Sequence, residues 1–440
     1  MTNIYSRLGI ITRLLFVSLS LYSWQAFAQQ PLVSDNFTES AALARLQGLE
    51  FNNVRCVIDE DTLIFSIENR EYRSDAEAIA VALHEFLPDA AHLSKISLVY
   101  LELNIPVMKV DLMIPDNFNP DSLDNSELFW HDHLYYSYST TIEWKKLLKS
   151  PSLSGTPGKF DLEFEPRIGF QLGDFTIPFR YEISMYPSLI SYLWKGAVFQ
   201  ATAYVPIYNY EFVNKYKYSR PAIISLTQQF KLFDGHFLKL STGLYTNNRY
   251  GLDGELSSYL LHGALILKAS AAFTGQARYL KAGYAGFMGE IATEDIFEYT
   301  SPSYFSYQFS AEARIPYTEV AVQYGYGKYL YYANGNKVLI YRNFNEYILG
   351  LQAFWSDAGK NFGFYVSLPL IPSKYYFNKK IRVKPSKYLN YSYLATSDYY
   401  WYFRTGYDVS TEYLEVNPQV IMNQLPNYLL YVNEKESKLK

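Results

Sequence analysis

The chain has 440 residues, enough for two domains, with a formal net charge of -4 and one cysteine. An acidic balance excludes nucleic acid as a partner, because phosphate tracking needs a basic stripe, and a single cysteine excludes an internal disulfide framework. Aromatic residues reach 18%, with 44 Tyr and 29 Phe; rings with an apolar body and a polar tip favour membrane–water interfaces.

The N-terminus reads as an export signal. Arg7 and Arg13 accompany the apolar run Leu14 to Leu21, too short to cross a bilayer, and Ala26-Phe27-Ala28 supplies a small-x-small cleavage pattern. Residues 1–28 are therefore expected to be removed before Gln29. Nothing later approaches the ~18 uninterrupted apolar residues of a spanning helix. Cys56, without a partner, reads as a small buried apolar residue.

Residues 38–115 read as a soluble periplasmic unit of order α-ββαββ. Ala41 to Gln47 is helical until Gly48, and Phe51 to Ile58 and Leu63 to Ile67 are strands about the acidic turn Asp59-Glu60-Asp61. Ser74-Asp75-Ala76-Glu77 is a capping box, whose serine and glutamate side chains satisfy free backbone donors. Ile79, Leu83, Phe86 and Leu87 then form one helical face until Pro88. Ile96 to Leu103 and Val107 to Leu112 are the last two strands. Residues 116–159, rich in Asp, Asn, Ser and Pro, read as a connector with a further candidate strand in Leu134 to Trp144.

From Phe160 the pattern is strict alternation. Phe160, Leu162, Phe164, Ile168, Phe170 and Leu172 share one face, opposite Asp161, Glu163, Glu165, Arg167 and Gln171. After a Gly173-Asp174 turn, Phe175, Ile177, Phe179, Tyr181, Ile183 and Met185 repeat it. Phe305 to Ile315 and Tyr399 to Val409 alternate likewise. Runs this long suit the ~9–11 residues of a tilted membrane-crossing strand better than an ordinary globular strand.

Short turns are expected at Gly173-Asp174, Asp234-Gly235, Pro316-Tyr317 and Asn345, with longer connections at Pro187 to Gly196, Tyr208 to Arg220, Gly289 to Pro302 and Tyr331 to Asn336. That asymmetry is the outer-membrane pattern of short periplasmic turns and long extracellular loops, and about 12–14 strands fit it. The fold class expected is thus mainly β: a transmembrane antiparallel β-barrel over residues 160–425, preceded by the small α+β domain. A charged tail is expected over 426–440, ending Glu434-Lys435-Glu436-Ser437-Lys438-Leu439-Lys440.

Several stretches resemble the YjbH/GfcD family of outer-membrane proteins. Gly48-Leu49-Glu50-Phe51-Asn52-Asn53-Val54-Arg55 and Glu68-Asn69-Arg70-Glu71-Tyr72-Arg73 are similar to motifs of that family's small domain. Farther along, Gly243 through Gly251 to Gly254-Glu255-Leu256, Gly327-Lys328-Tyr329-Leu330 with Gly335 and then Arg342-Asn343-Phe344, and Gly363 to Leu370 resemble its barrel motifs, in order. The chain departs from the pattern at Thr246, Asn247, Asn248 and Asp253, and in Ala222-Ile223-Ile224 after Pro221. Family members are often longer. The resemblance implies a part in exopolysaccharide or capsule export or assembly, with polysaccharide, outer-membrane lipid and other secretion proteins as partners.

Candidate polysaccharide-contacting lumen residues are Arg180, Glu182, Glu255, Lys268, Glu312, Arg314 and Arg404, which project opposite an apolar face, with Tyr304 and Tyr402 as rings able to stack on sugars. The alternatives are a lumen salt-bridge network and girdle packing. His131-Asp132-His133 does not complete a zinc site, which takes three or four ligands, and His84-Glu85 lacks the second histidine of a zincin helix. No nucleophile elbow, P-loop or dinucleotide fingerprint occurs, so neither cofactor nor enzymatic activity is expected. The rival readings are a general porin or uptake channel, and a barrel enzyme using His236 or His262.

Overall fold

In a computed structural model of the chain, residues 38–115, 127–172, 178–210, 219–279, 297–299, 302–315, 318–330, 334–357, 359–375, 380–396 and 418–437 are described. The expected signal, the Gly173-Asp174 and Pro316-Tyr317 turns, the Tyr399 to Val409 run, Tyr402 and Arg404 lie outside them. The chain is mainly β.

The first sheet begins where expected. Helix α1 (Glu39–Gly48) buries Ala42 and Leu46, four residues apart and therefore on one face. Strands β1 (Asn52–Asp59) and β2 (Thr62–Glu68) pair antiparallel across the acidic turn. Helix α2 (Asp75–His84) starts at Ser74, whose hydroxyl accepts from the Glu77 amide, and buries Ile79 and Leu83. It carries the chain to β3 (Lys95–Glu102), parallel to β2, and β4 (Ile105–Met113) returns antiparallel. Helix α3 (Glu127–His133) then leads to β5 (Leu134–Ser137), which pairs with β4, and to helix α4 (Thr141–Leu147). The stretch read as a connector thus adds an edge strand to the first sheet, and the candidate strand through Trp144 stops at Ser137. Leu147 of α4 packs on Ile64, Val99 and Leu101 on one face of the sheet.

The second sheet is built from β6 (Phe160–Leu172), β7 (Phe179–Trp194), β8 (Ala197–Tyr210), β9 (Arg220–Phe233), β10 (His236–Tyr245), β11 (Arg249–Leu260), β12 (Leu265–Tyr279), β13 (Phe297–Tyr299), β14 (Tyr304–Ile315), β15 (Val320–Lys328), β16 (Asn334–Phe344), β17 (Tyr347–Ser356), β18 (Gly359–Pro369), β19 (Ile381–Pro385) and β20 (Tyr388–Thr396). Consecutive strands pair antiparallel from β6 to β18, apart from β13, which adds only to β12 while β14 follows β12 along the sheet. The long loop expected at Pro187 to Gly196 is instead strand, closed by a tight turn at Lys195-Gly196. Pro187 pairs with Phe164 on β6 but falls in a gap of the β8 register, where its missing N–H leaves no ladder bond unmade.

The two faces of this sheet are inverted relative to a water-soluble β protein. Leu252 and Phe362 are 61% and 60% exposed, while Asp161, Ser184 and Thr274 on the opposite face are 0% exposed. The same division runs through nearly every strand: Ile183 and Leu189 against Glu182 and Ser188 on β7, Ile224 and Leu226 against Ser225 and Thr227 on β9, Phe305 and Phe309 against Ser306 and Arg314 on β14.

The ends of the sheet are close together in the chain. β19 pairs with β6, in parallel, whereas β20, only Ser386-Lys387 later, pairs with β18. The Ser386 amide donates to the Phe164 carbonyl at 3.0 Å, and the Leu370 amide donates to the Lys387 carbonyl at 3.1 Å. Farther along, Phe170 of β6 meets Tyr391 of β20 edge-on at 5.5 Å. Among the described residues no backbone ladder joins β20 itself to β6.

Residues 418–437 form helix α5 (Pro418–Ser437), where the end of a barrel and a charged tail were expected. Ile421, Met422, Leu425 and Leu429 recur at helical spacing and are buried. α5 packs against α2, with Asn433 bonded to His84 and the Gln424 amide donating to the Asn345 carbonyl.

Candidate functional site

The first sheet meets the second at the end that carries the Lys195-Gly196 and Asp234-Gly235 turns. The tip of the β3–β4 hairpin is a two-residue turn with Leu103 and Asn104 both at positive φ. It seats against the polar-face side of the large sheet, whose residues turn apolar there: Leu103 packs with Ile190, Tyr192 and Val198, and Ile105 and Val107 pack with Phe237 and Tyr259. The Gly196 amide donates to the Leu103 carbonyl at 2.8 Å.

Beside this tip lies a buried ionic centre. Asp161 of β6 is bonded by Arg70, from the loop after β2, and by Arg382, its register partner on β19. The Tyr192 hydroxyl donates to the same carboxylate at 2.9 Å, and the Arg70 guanidinium lies 5.0 Å from the Tyr192 ring centre. Lys384, next on the same face of β19, pairs with Glu163. A carboxylate without water is tolerable only when paired and fully hydrogen-bonded, and Asp161 has two guanidiniums and a phenol.

The neighbouring Asn53, Glu68 and Thr156 form a second knot. Glu68 accepts from Asn53, from the Thr156 hydroxyl at 2.7 Å and from the Asn104 amide at 3.2 Å. Burial nevertheless pushes the Glu68 carboxyl above its usual range. Lys159, just before β6, is pushed down to about 8 by burial and by the nearby Arg70 charge.

Arg73 extends the junction. It bonds both carboxylate oxygens of Glu346, in the β16–β17 turn, and the Leu370 carbonyl. Its own amide donates to the Ser373 carbonyl at 2.7 Å, and the Tyr375 amide donates to the Glu71 carbonyl at 2.6 Å. Glu77, on α2 nearby, is held up to about 7 by burial and by the Glu346 charge. The Glu68 to Arg73 segment is therefore the clamp between the sheets.

The candidate residues of the large sheet lie on its polar face in small ionic groups. Glu182 accepts from the Tyr204 hydroxyl at 2.8 Å, and the Arg220 guanidinium lies 4.1 Å from the Tyr204 ring centre. Glu255 meets Lys239 at 3.3 Å and Lys268 at 3.9 Å. Glu312 accepts from Arg314 and from the Tyr341 hydroxyl, both at 2.9 Å. Arg180 stands opposite Gln171 near the start of β7. Tyr304 is buried, with Arg249 and Lys328 both about 5 Å from its ring centre and its hydroxyl bonded to the Tyr329 carbonyl. Its ring is engaged by cations. Arg404 and Tyr402 lie outside the described residues.

The histidines do not converge. His133 bonds the Phe129 carbonyl one helical turn back, His236 bonds the Asp234 carbonyl, and the His262 ring faces Tyr136. Among the described residues no group of three or more metal-ligating side chains occurs. Arg70, Arg73, Arg382, Tyr192 and Glu346 were not singled out in the sequence. The one signal for the first two was the charge-dense Glu68 to Arg73 motif.

Comparison with protein-family models, curated proteins and solved structures finds no match to this chain.

Proposed function

We propose that the chain is an outer-membrane β-barrel protein that takes part in exopolysaccharide or capsule export or assembly, with its α+β unit on the periplasmic side. The observation that carries the membrane reading is the inverted polarity of the large sheet. Burying Ser, Thr, Glu and Arg while presenting Leu, Ile and Phe outward is unfavourable in water, where apolar area costs about 25 cal/mol per Å² to expose. Against hydrocarbon the same arrangement is the favourable one.

Two further observations support closure of the sheet on itself. β19 and β20 are nearly continuous in the chain yet occupy opposite ends of the strand order, so they serve as two halves of one stave between β18 and β6. An odd number of described staves then makes the seam between first and last parallel, as β19 and β6 are. Closure leaves no open edge in lipid. Aromatic rings also run across this seam: Tyr393, Phe364, Tyr391, Phe170, Phe179, Tyr181 and Tyr208 touch in sequence over β20, β18, β6, β7 and β8. Such a belt suits a membrane–water interface.

The polysaccharide assignment rests on the resemblance to the YjbH/GfcD family, and the ionic groups of the polar face would line the path. A general porin is less well supported, because the β3–β4 tip is seated at one mouth. Purified outer membranes on a gel test the architecture: a folded band that shifts on boiling is expected, and an unshifted band in the soluble periplasmic fraction would refute it. Deletion of the gene tests the role, since normal surface polysaccharide in the deletion strain under producing conditions would remove it.

A further inference from the structure

We infer that α4 is an interfacial anchor, whose outer face rests on the phosphate-bearing headgroups of the leaflet next to the α+β unit. This rests on the membrane reading above and adds a second, non-barrel contact with lipid.

The face is amphipathic in an unusual sense. Leu147 and Trp144 point toward the first sheet, and Lys146 reaches back to Asp59. The opposite side carries Ile142 and Lys145, three residues apart, with Leu148 at the C-cap and Lys149 in the turn just past it, where its amide donates to the Lys146 carbonyl. Ile142 and Leu148 are 65% and 53% exposed, and both lysines are exposed as well. Two large exposed apolar side chains interspersed with two ammonium groups match the headgroup zone, where apolar tips enter the acyl boundary and lysines reach phosphate.

The position of the helix supports lipid rather than another occupant. Its first turn is tied to the β9–β10 turn, where the Thr141 hydroxyl donates to Asp234 at 3.1 Å. Asp234 also pairs with Lys231 at 2.6 Å, which fixes that turn. The Lys195 ammonium, in the β7–β8 turn, lies 5.8 Å from the Trp144 ring centre. Those two turns end strands whose last residues, Trp194 and Phe233, are themselves exposed and apolar. The first turn of α4 therefore lies against the rim of the large sheet, beside turns whose flanking residues are apolar and exposed. An anionic phospholipid surface is the chemistry that takes both the apolar and the basic residues.

The test uses the full chain folded into vesicles of phosphatidylethanolamine and phosphatidylglycerol that carry a headgroup-proximal quencher. A fluorophore is attached at Ile142→Cys, with Leu240→Cys on the apolar face of β10 and Glu60→Cys at the β1–β2 turn as references. The native Cys56 is fully buried and does not compete for label. Quenching at Ile142 close to that at Leu240 and well above that at Glu60 is expected. Lys145→Glu with Lys149→Glu should bring the Ile142 signal down to the Glu60 level. Quenching at Leu240 but not at Ile142 overturns the anchor and leaves the barrel standing. No quenching at Leu240 overturns the membrane reading, and the anchor with it. Unchanged quenching in the charge-reversed variant overturns the headgroup contact.

Discussion

Arg70 and Asp161 are 91 residues apart in the chain, yet they form a buried ion pair that fastens the α+β unit to the first strand of the large sheet. Arg382 reaches the same carboxylate from β19, so one aspartate ties together a loop, β6 and the strand beside it.

The order of effects on removing these groups follows. Asp161→Ala strands two guanidiniums in a space without water, whereas Arg70→Ala leaves Asp161 paired with Arg382. Breaking a buried pair costs about 3–5 kcal/mol because an uncompensated charge remains. Asp161→Ala is expected at the upper end of that range and Arg70→Ala below it, read from urea unfolding of the α+β unit by its proteolytic sensitivity. Equal and small losses would mean that the apolar contacts of the β3–β4 tip hold the unit alone.

Glu77 makes the same junction sensitive to pH. The folded chain holds its carboxyl up to about 7, through burial and the facing Glu346 charge, whereas the unfolded chain releases that proton near 4.5. A folded state that binds the extra proton loses stability as pH rises between those values and is level outside them. Glu77→Gln, which imitates the protonated form, should match the unaltered chain at pH 4 and exceed it in stability at pH 8. Denaturation curves whose separation does not change with pH would rule this out.

Much of the fold was legible because strands and capped helices write their signals locally. The alternation of Phe160 to Leu172 and of Phe305 to Ile315 has period two, and the Ser74–Glu77 cap lies within one helical turn. Both stand where expected. The junction was not legible, because the bond between Arg70 and Asp161 depends on a tertiary path that no local window contains. Helix α5 was hidden for a different reason. Pro426 sits inside it and charges crowd its end, so the apolar spacing of Ile421, Met422, Leu425 and Leu429 carries a weak helical signal. Pro187 misled in the other direction, since proline reads as loop unless the register happens to have a gap.

Under the proposed closure of the large sheet, seating of the β3–β4 tip predicts a largely obstructed path. Leu103 lies among Ile190, Tyr192 and Val198, so Leu103→Asp places a carboxylate in an apolar seat and should release the tip. In planar bilayers the unaltered chain is expected to conduct rarely and the variant to show frequent large openings, with heat-modifiability unchanged. Large steady conductance from the unaltered chain would show that the tip does not obstruct.

Gly243 and Gly251 are explained by backbone contact. They face one another in register on β10 and β11, at φ +142° and +147°. A Cβ on Gly243 would strike the Ile224 carbonyl oxygen, and one on Gly251 the Phe273 carbonyl oxygen, neither of which can swing aside. Gly254, also on β11, would meet first the Leu240 Cδ2 at 3.3 Å, the far end of a flexible side chain. Gly243→Ala should therefore cost about 1–3 kcal/mol in strain, while Gly254→Ala should be close to neutral. The measurement is the fraction of chain that migrates as the folded, heat-modifiable band after refolding into detergent. A fall for Gly243→Ala alone would mark the spacing of these glycines as a requirement of strand approach. Equal loss at Gly254 would show that contact with the neighbouring backbone is not what sets the requirement for glycine in this stretch.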